Sequence, residues 1–147
     1  MATVHGQVRT SRSPEEVWRM LADFSHAATW DPGVSRATRH ASGPPTEGDT
    51  YTVWIRMGWI ALPMSYRTLV LQPHERILFE GVGGTIRALD DLRVTADAGI
   101  TTVTWRADIT LRGPLGLFDR LLQPVIGQVA DDAMEGLQAW LGPVSSG

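Results

Sequence analysis

The 147-residue chain has the length of one typical domain, with 13 basic against 16 acidic residues, 43% apolar residues and no cysteine. A net charge of -3 without a basic cluster argues against nucleic acid as a partner. No apolar run reaches the roughly 18 residues of a membrane span, and no secretory leader is recognisable, so we expect a cytoplasmic monomer or homodimer.

The first third of the sequence predicts a strand and two short helices. Residues 2–10 have β character. Ser13-Pro14-Glu15-Glu16 supplies an N-cap, a proline at the first helical position and a capping-box glutamate for a helix to about Ala22. A second helix over residues 25–29 is expected to end at Trp30-Asp31-Pro32-Gly33, because proline and glycine terminate helices.

The middle of the chain predicts six strands joined by hairpins. Turn residues punctuate the segment from Val34 to about Arg112 at short intervals, which is typical of antiparallel strands. Residues 101–112 alternate between apolar and polar side chains, as expected for a sheet covered on one face only.

The last segment predicts the helix that covers this sheet. Its apolar residues recur at helical spacing: Phe118, Leu122, Val125, Ile126, Val129, Ala133, Leu137 and Trp140. Because proline disfavours a helix interior, Pro124 predicts a short helix over residues 115–122, a break or kink, and then the long helix. Residues 142–147 are expected to form a flexible tail.

Several short motifs resemble the START-like (SRPBCC) superfamily, in particular its polyketide cyclase/dehydrase branch. They are residues 13–18, Trp30-Asp31-Pro32-Gly33-Val34, Gly48-Asp49, residues 72–77 and residues 112–116. The resemblance implies one domain over residues 1–141 with an α+β helix-grip fold. In that fold a curved antiparallel sheet of about seven strands wraps around a long C-terminal helix, and two short helices follow the first strand.

The resemblance also implies a deep apolar cavity that opens near the two short helices. Relatives of this kind include aromatase/cyclases as well as non-catalytic binders, so two functions stay open. The chain either catalyses aldol cyclisation and dehydration of an aromatic or polyketide-like molecule, or carries, sequesters or confers resistance to a hydrophobic metabolite. A protein-interaction module is a third alternative, and it would require a filled cavity.

Composition narrows the chemistry that such a cavity could perform. The sequence lacks lysine and cysteine and has no Gly-x-Ser-x-Gly motif, which excludes a Schiff base and the common nucleophiles. The four histidines show no metal-ligand spacing, so we expect neither a metal nor a cofactor. Carboxylates, histidines, arginines and hydroxyl groups remain as groups that could carry a reaction.

Asp90 is the leading catalytic candidate. It has the same strand parity as the apolar residues Ala88 and Leu92, which predicts that its carboxyl group points inward and acts as a general acid or base. The alternative is a bulge that turns Asp90 to solvent. Arg67 and Arg56 are candidates for stabilising an enolate oxygen, although apolar residues on both faces of their strands leave their direction open.

Aromatic and flexible apolar residues are the candidates for the cavity wall, with core packing as the alternative for each. The predicted ligand-binding residues are Trp30, Tyr51, Trp54, Met57, Trp59, Met64, Tyr66, Phe79, Trp105, Phe118, Leu122 and Ile126.

Overall fold

The computed structural model describes residues 2–113 and 119–145, apart from the side chains of Met57 and of residues 119–122. The elements in chain order are β1 (Ala2–Thr10), α1 (Pro14–Ala22), a 3-10 turn (Phe24–His26), α2 (Ala27–Trp30), β2 (Val34–Arg39), β3 (Thr50–Met57), β4 (Ile60–Gln72), β5 (Arg76–Gly83), β6 (Ile86–Asp97), β7 (Ile100–Leu111) and α3 (Asp119–Leu141).

The seven strands form one antiparallel sheet in the order β1-β7-β6-β5-β4-β3-β2. Each strand from β2 to β7 pairs with its neighbour in sequence, as the hairpin signals predicted, and β1 closes the order beside β7. The sheet curves around α3, and the short helices lie between β1 and β2. The predicted helix-grip fold is therefore confirmed.

The inner face of the sheet, which is turned toward α3, carries the main apolar core. Alternate residues of the central strands are fully buried there, and Leu137 of α3 packs with them; the strand residues are Val53, Ile77, Phe79 and Val103. Helix α1 adds Val17 and Leu21 to the same core. The Ser13 hydroxyl accepts a hydrogen bond of 3.2 Å from the Glu16 amide, which confirms the predicted N-cap.

Helix α3 departs from its prediction in two ways. It runs from Asp119 to Leu141 through Pro124, so of the predicted break or kink the break is wrong. Residues 115–118 of the predicted short helix lie outside the described residues. Pro124 lies in the second turn counted from Asp119, where the absence of one amide hydrogen leaves only a single helical hydrogen bond unmade. Val125 and Val129 were predicted in the buried stripe but are exposed, whereas Ala133 of the same stripe is buried, together with Ala130.

A backbone contact joins α2 to α3. A Cβ atom added to Gly136 would lie 1.9 Å from the carbonyl oxygen of Trp30, far inside any van der Waals contact. Only glycine allows α3 to approach the end of α2 so closely. This contact fixes the loop of residues 31–33 against α3.

Polar contacts also fasten β1 to the end of α3. The Gln138 side chain donates to the Arg9 carbonyl at 2.8 Å and accepts from the Arg9 amide at 3.2 Å. The Leu141 carbonyl accepts from the Thr10 hydroxyl at 3.1 Å and from Nε of Arg12 at 2.6 Å. These bonds satisfy polar groups at the edge of the sheet and at the helix terminus. In the part of the chain that the structure describes, no helix is long and apolar enough to cross a membrane.

Candidate ligand site

Asp90 lies on the inner face of the sheet. It is opposite Phe79 on β5 and Ala107 on β7, and the pairing of β6 with both neighbours continues without a shift in register. The predicted alternative, a bulge at Asp90 and Asp91, is therefore wrong. Asp91 faces outward, where it forms an ion pair of 3.1 Å with Arg76.

The surroundings of Asp90 favour its neutral form. Burial raises the pKa of its carboxyl group to about 6, and the nearby charge of Asp31 acts in the same direction. The indole nitrogen of Trp105 donates a hydrogen bond of 3.0 Å to Oδ1, which opposes the rise in pKa. Asp90 thus changes its protonation state close to neutral pH while one of its oxygens is held in place.

Tyr66 places a hydroxyl group in the same part of the interior. It lies on the inner face of β4 opposite Gly81 of β5, and its ring covers that glycine: a Cβ atom added to Gly81 would lie 2.4 Å from Cζ of Tyr66. Burial raises the pKa of the phenol well above its usual value, and the charges of Asp90 and Asp31 add to the rise. Tyr66 is therefore a neutral hydrogen-bond donor at physiological pH.

We expect Gly81→Ala to lower the free energy of unfolding by about 1–3 kcal/mol, because the added methyl group overlaps the Tyr66 ring. Chemical denaturation of the single variant and of Gly81→Ala/Tyr66→Ala measures the overlap directly. In the Tyr66→Ala background, Gly81→Ala should lower the free energy of unfolding much less, because the aromatic ring is absent. The difference is the coupling energy between the two positions. Simple additivity of the two substitutions would contradict this packing.

Asp31 is a second, partly buried carboxylate, which lines the groove between α2 and α3. The sequence analysis treated it as part of a helix stop and of a family motif, and not as a site residue. Its Oδ1 accepts a hydrogen bond of 2.8 Å from the Gly33 amide. Burial raises its pKa, opposed by that hydrogen bond and assisted by the charge of Asp132. The charge of Asp31 raises the pKa of both Asp90 and Tyr66, so the loop after α2 acts electrostatically on the inner face of the sheet. An Asp-Pro-Gly turn occurs on many surfaces, so local sequence gave no signal of this role.

An aromatic cluster forms the apolar part of the site. Phe24 stacks on Phe79 with ring centroids 4.3 Å apart, lies 4.8 Å from Tyr66, and meets Tyr51 edge-on at 6.1 Å. The sequence analysis did not include Phe24 among the ligand-binding residues. Phe79, Tyr51 and Met64 are buried and pack as the floor of this cluster.

The inner face is less well covered toward one end of the sheet. Ile55, Ile86 and Ile109 face inward but are only partly buried, as is Trp105. Ile126 of α3 packs near Trp105 in a second, smaller apolar cluster. We call the group of Asp90, Tyr66, Trp105, Asp31 and Phe24 the interior site, because it joins polar atoms to this incompletely covered apolar surface.

Both predicted catalytic arginines lie away from Asp90. Arg67 is exposed and opposite Glu80, because its neighbours Tyr66 and Thr68 take the inner face of β4. Arg56 is exposed and lines a groove of about 560 Å³ between α2 and α3. The expectation that either arginine faces an interior enolate is therefore wrong.

Two of the predicted aromatic residues also lie outside the interior. Trp54 lies on the outer face of the sheet, opposite to the face that carries the buried Val53. The Arg36 guanidinium group covers its ring, with Cζ of Arg36 5.1 Å from the ring centroid. Trp59 is 97% exposed at the β3–β4 turn. Trp30 packs against the core and borders the groove beside α3. Phe118 lies outside the described residues, as do the side chains of Met57 and Leu122.

The site residues form no evident metal centre. Across residues 2–113 and 119–145, the structure contains no group of three or more histidine, aspartate or glutamate side chains placed to hold an ion. Asp90 instead accepts a hydrogen bond from the Trp105 indole, and Asp31 accepts one from the Gly33 amide. The arrangement can accept and donate protons and can pack against planar molecules.

Comparison with known proteins agrees with this fold. The family model described as polyketide cyclase/dehydrase and lipid transport matches residues 1–142. No curated protein matches the chain.

Solved structures share its architecture at low sequence identity. A START superfamily protein from Mycobacterium smegmatis has a TM-score of 0.78 at 11% identity, covering 96% of this chain and 97% of that one. The Zhui aromatase/cyclase from Streptomyces sp. R1128 has a TM-score of 0.75 at 15% identity, covering 95% and 92%. Fold and family together support a role in binding a hydrophobic ligand. The chain belongs to the polyketide cyclase/dehydrase and lipid transport family of START-like proteins.

Proposed function

We propose that this protein binds an aromatic or polyketide-like molecule at the interior site and catalyses its aldol cyclisation and dehydration. One observation carries the proposal: an inward carboxyl group, Asp90, with a pKa of about 6 on a mostly apolar sheet face. A general acid–base group works best when its pKa lies near the working pH, because both protonation states are then accessible.

The proposed chemistry needs only Asp90 and Tyr66. The Asp90 carboxylate removes a proton from a carbon beside a substrate carbonyl, while the Tyr66 hydroxyl donates a hydrogen bond to the developing enolate oxygen. The enolate carbon then forms a bond to a second carbonyl carbon of the same chain. Protonated Asp90 returns its proton to the resulting alkoxide, which completes the aldol step.

Dehydration repeats the cycle at the new hydroxyl group. Asp90 removes the remaining proton from the carbon between the carbonyl and the new ring bond, and the carbon–oxygen bond of the hydroxyl then breaks. The departing hydroxide takes the proton from Asp90 and leaves as water. Asp90 is regenerated as a carboxylate, and the aromatic walls hold the chain folded during both steps.

Incubation of the protein with a synthetic aryl triketone, whose carbonyl groups alternate with methylene groups, tests the proposal. Mass spectrometry should detect loss of one water, and Asp90→Asn should slow this conversion at least about 100-fold, as expected for removal of a general acid–base group. Asp91→Asn is the matched control, because Asp91 is the next residue of β6 but faces outward. We expect its rate to equal that of the wild type.

The same experiment separates catalysis from binding. Quenching of tryptophan fluorescence reports occupancy, since Trp105 is hydrogen-bonded to Asp90 within the site. If the triketone quenches the fluorescence but is released without chemical change, the catalytic half of the proposal is rejected and a carrier or sequestering protein is supported. If Asp90→Asn converts the triketone at the wild-type rate, only the catalytic role of Asp90 is rejected, and the proposed activity stands.

A further inference from the structure

The interior site carries negative charge without a described basic partner. Asp90 and Asp31 are close enough that the charge of one raises the pKa of the other. Both carboxylates act on Tyr66 in the same sense. Arg67 is exposed and lies opposite Glu80, and Arg56 is exposed in the groove that Asp31 also lines. Among the described residues, neither arginine forms an ion pair with Asp90 or Asp31.

The other arginines of the central strands are engaged elsewhere. Arg87 donates to Glu80, and Arg76 forms two hydrogen bonds of 3.1 Å to the outward-facing Asp91. Arg39 has inward strand parity but is paired with Asp49 at 2.7 Å. The guanidinium groups of these strands therefore stabilise carboxylates outside the interior site.

Unused hydrogen-bonding capacity remains on two side chains of the site. Trp105 occupies Oδ1 of Asp90, while Oδ2 has no hydrogen-bond partner among the described residues. The Tyr66 hydroxyl likewise makes no hydrogen bond to that part of the chain, although its ring is held over Gly81. The site thus offers one anionic acceptor and one neutral donor beside aromatic surfaces.

From this arrangement we infer that the interior site selects aromatic ligands that present an O–H or N–H donor and rejects ligands that carry a carboxylate. The inference deepens the proposed function and rests on its binding half. A hydroxyl or protonated amine can donate to Asp90, and the amine gains attraction from both carboxylates and from the aromatic faces. A ligand carboxylate would add a third negative charge where little water screens it.

Four naphthalene derivatives test the inference, because they share one apolar body: naphthol, naphthylmethylamine, methoxynaphthalene and naphthoate. Dissociation constants come from quenching of tryptophan fluorescence at neutral pH. We expect naphthol and the amine to bind at least tenfold more tightly than naphthoate, with the methoxy compound weaker than naphthol. Naphthoate binding as tightly as naphthol would overturn the inference.

Variants connect this selectivity to the two carboxylates. Asp90→Asn and Asp31→Asn should each reduce the ratio of naphthoate to naphthol dissociation constants at least threefold, whereas the outward control Asp91→Asn should leave it unchanged. Thermal unfolding verifies that each variant is folded. Unchanged selectivity in both interior variants would overturn the assignment. If no member of the series binds the wild type, the proposed function fails; if naphthoate binds best, only this inference fails.

Discussion

The Asp90→Asn variant is expected to be more stable than the wild type at neutral pH, by up to about 3 kcal/mol. The pKa of Asp90 rises from 3.8 to about 6 on folding, and each pKa unit corresponds to about 1.4 kcal/mol. Between these values the folded state holds a proton that the unfolded state has released, so stability falls as the pH rises. Asparagine removes this penalty and keeps an oxygen that can accept from Trp105.

Urea denaturation between pH 4 and 8 measures the effect. The difference in unfolding free energy between the variant and the wild type should grow from pH 4 to pH 6 and then level off. Asp97→Asn is the control, since Asp97 is exposed at the end of the same strand. If the difference in unfolding free energy between Asp90→Asn and the wild type does not change with pH, ionisation of Asp90 does not destabilise the folded protein. The buried Asp90 therefore lowers the folding stability at neutral pH. A protein retains such a destabilising residue when its function requires the charge.

Replacing Gly136 by alanine should destabilise the protein by about 3 kcal/mol, the upper end of the usual cost of overpacking. The added methyl group would overlap the Trp30 carbonyl oxygen, which belongs to the backbone and cannot rotate away. Helix α3 and the loop of residues 31–33 would have to separate. Because that loop carries Asp31, the variant should also lose part of the selectivity against naphthoate.

Gly127→Ala provides the matched control on the same helix. Among the described residues, no atom outside the adjoining helix backbone lies within 4 Å of a Cβ added to Gly127, so alanine should stabilise the helix by up to about 1 kcal/mol. Thermal and urea unfolding of both variants should therefore give changes of opposite sign. Equal effects at the two positions would contradict the close contact between α2 and α3.

The order of elements could be predicted because its signals are local. Turn residues mark every hairpin, and the Ser13-Pro14 cap marks α1. The direction of Asp90 was also predictable, since its strand alternates cleanly between the two faces. Its alternative, a bulge, depends on pairing with two other strands, which the sequence of β6 alone does not reveal.

The rest of the site depends on contacts between distant segments. Arg67 lies in a strand with apolar residues on both faces, so only the positions of its neighbours in the folded sheet decide its direction. Trp54 is apolar enough for the interior, yet Arg36 of the neighbouring strand covers it on the outside. Asp31 and Phe24 contribute to the site because the segment of short helices packs against the sheet. Local sequence periodicity does not predict where that segment packs.

The attachment of β1 to the end of α3 bears on how the protein is made. The bonds from Arg9 to Gln138 and from Thr10 to Leu141 join residues 129 and 131 positions apart. On the ribosome, the first strand must wait for its partner β7 and for the final helix, while β2 to β6 can pair as they emerge. We therefore expect this domain to complete its folding only after α3 has left the ribosome, with the apolar face of the nascent sheet exposed until then.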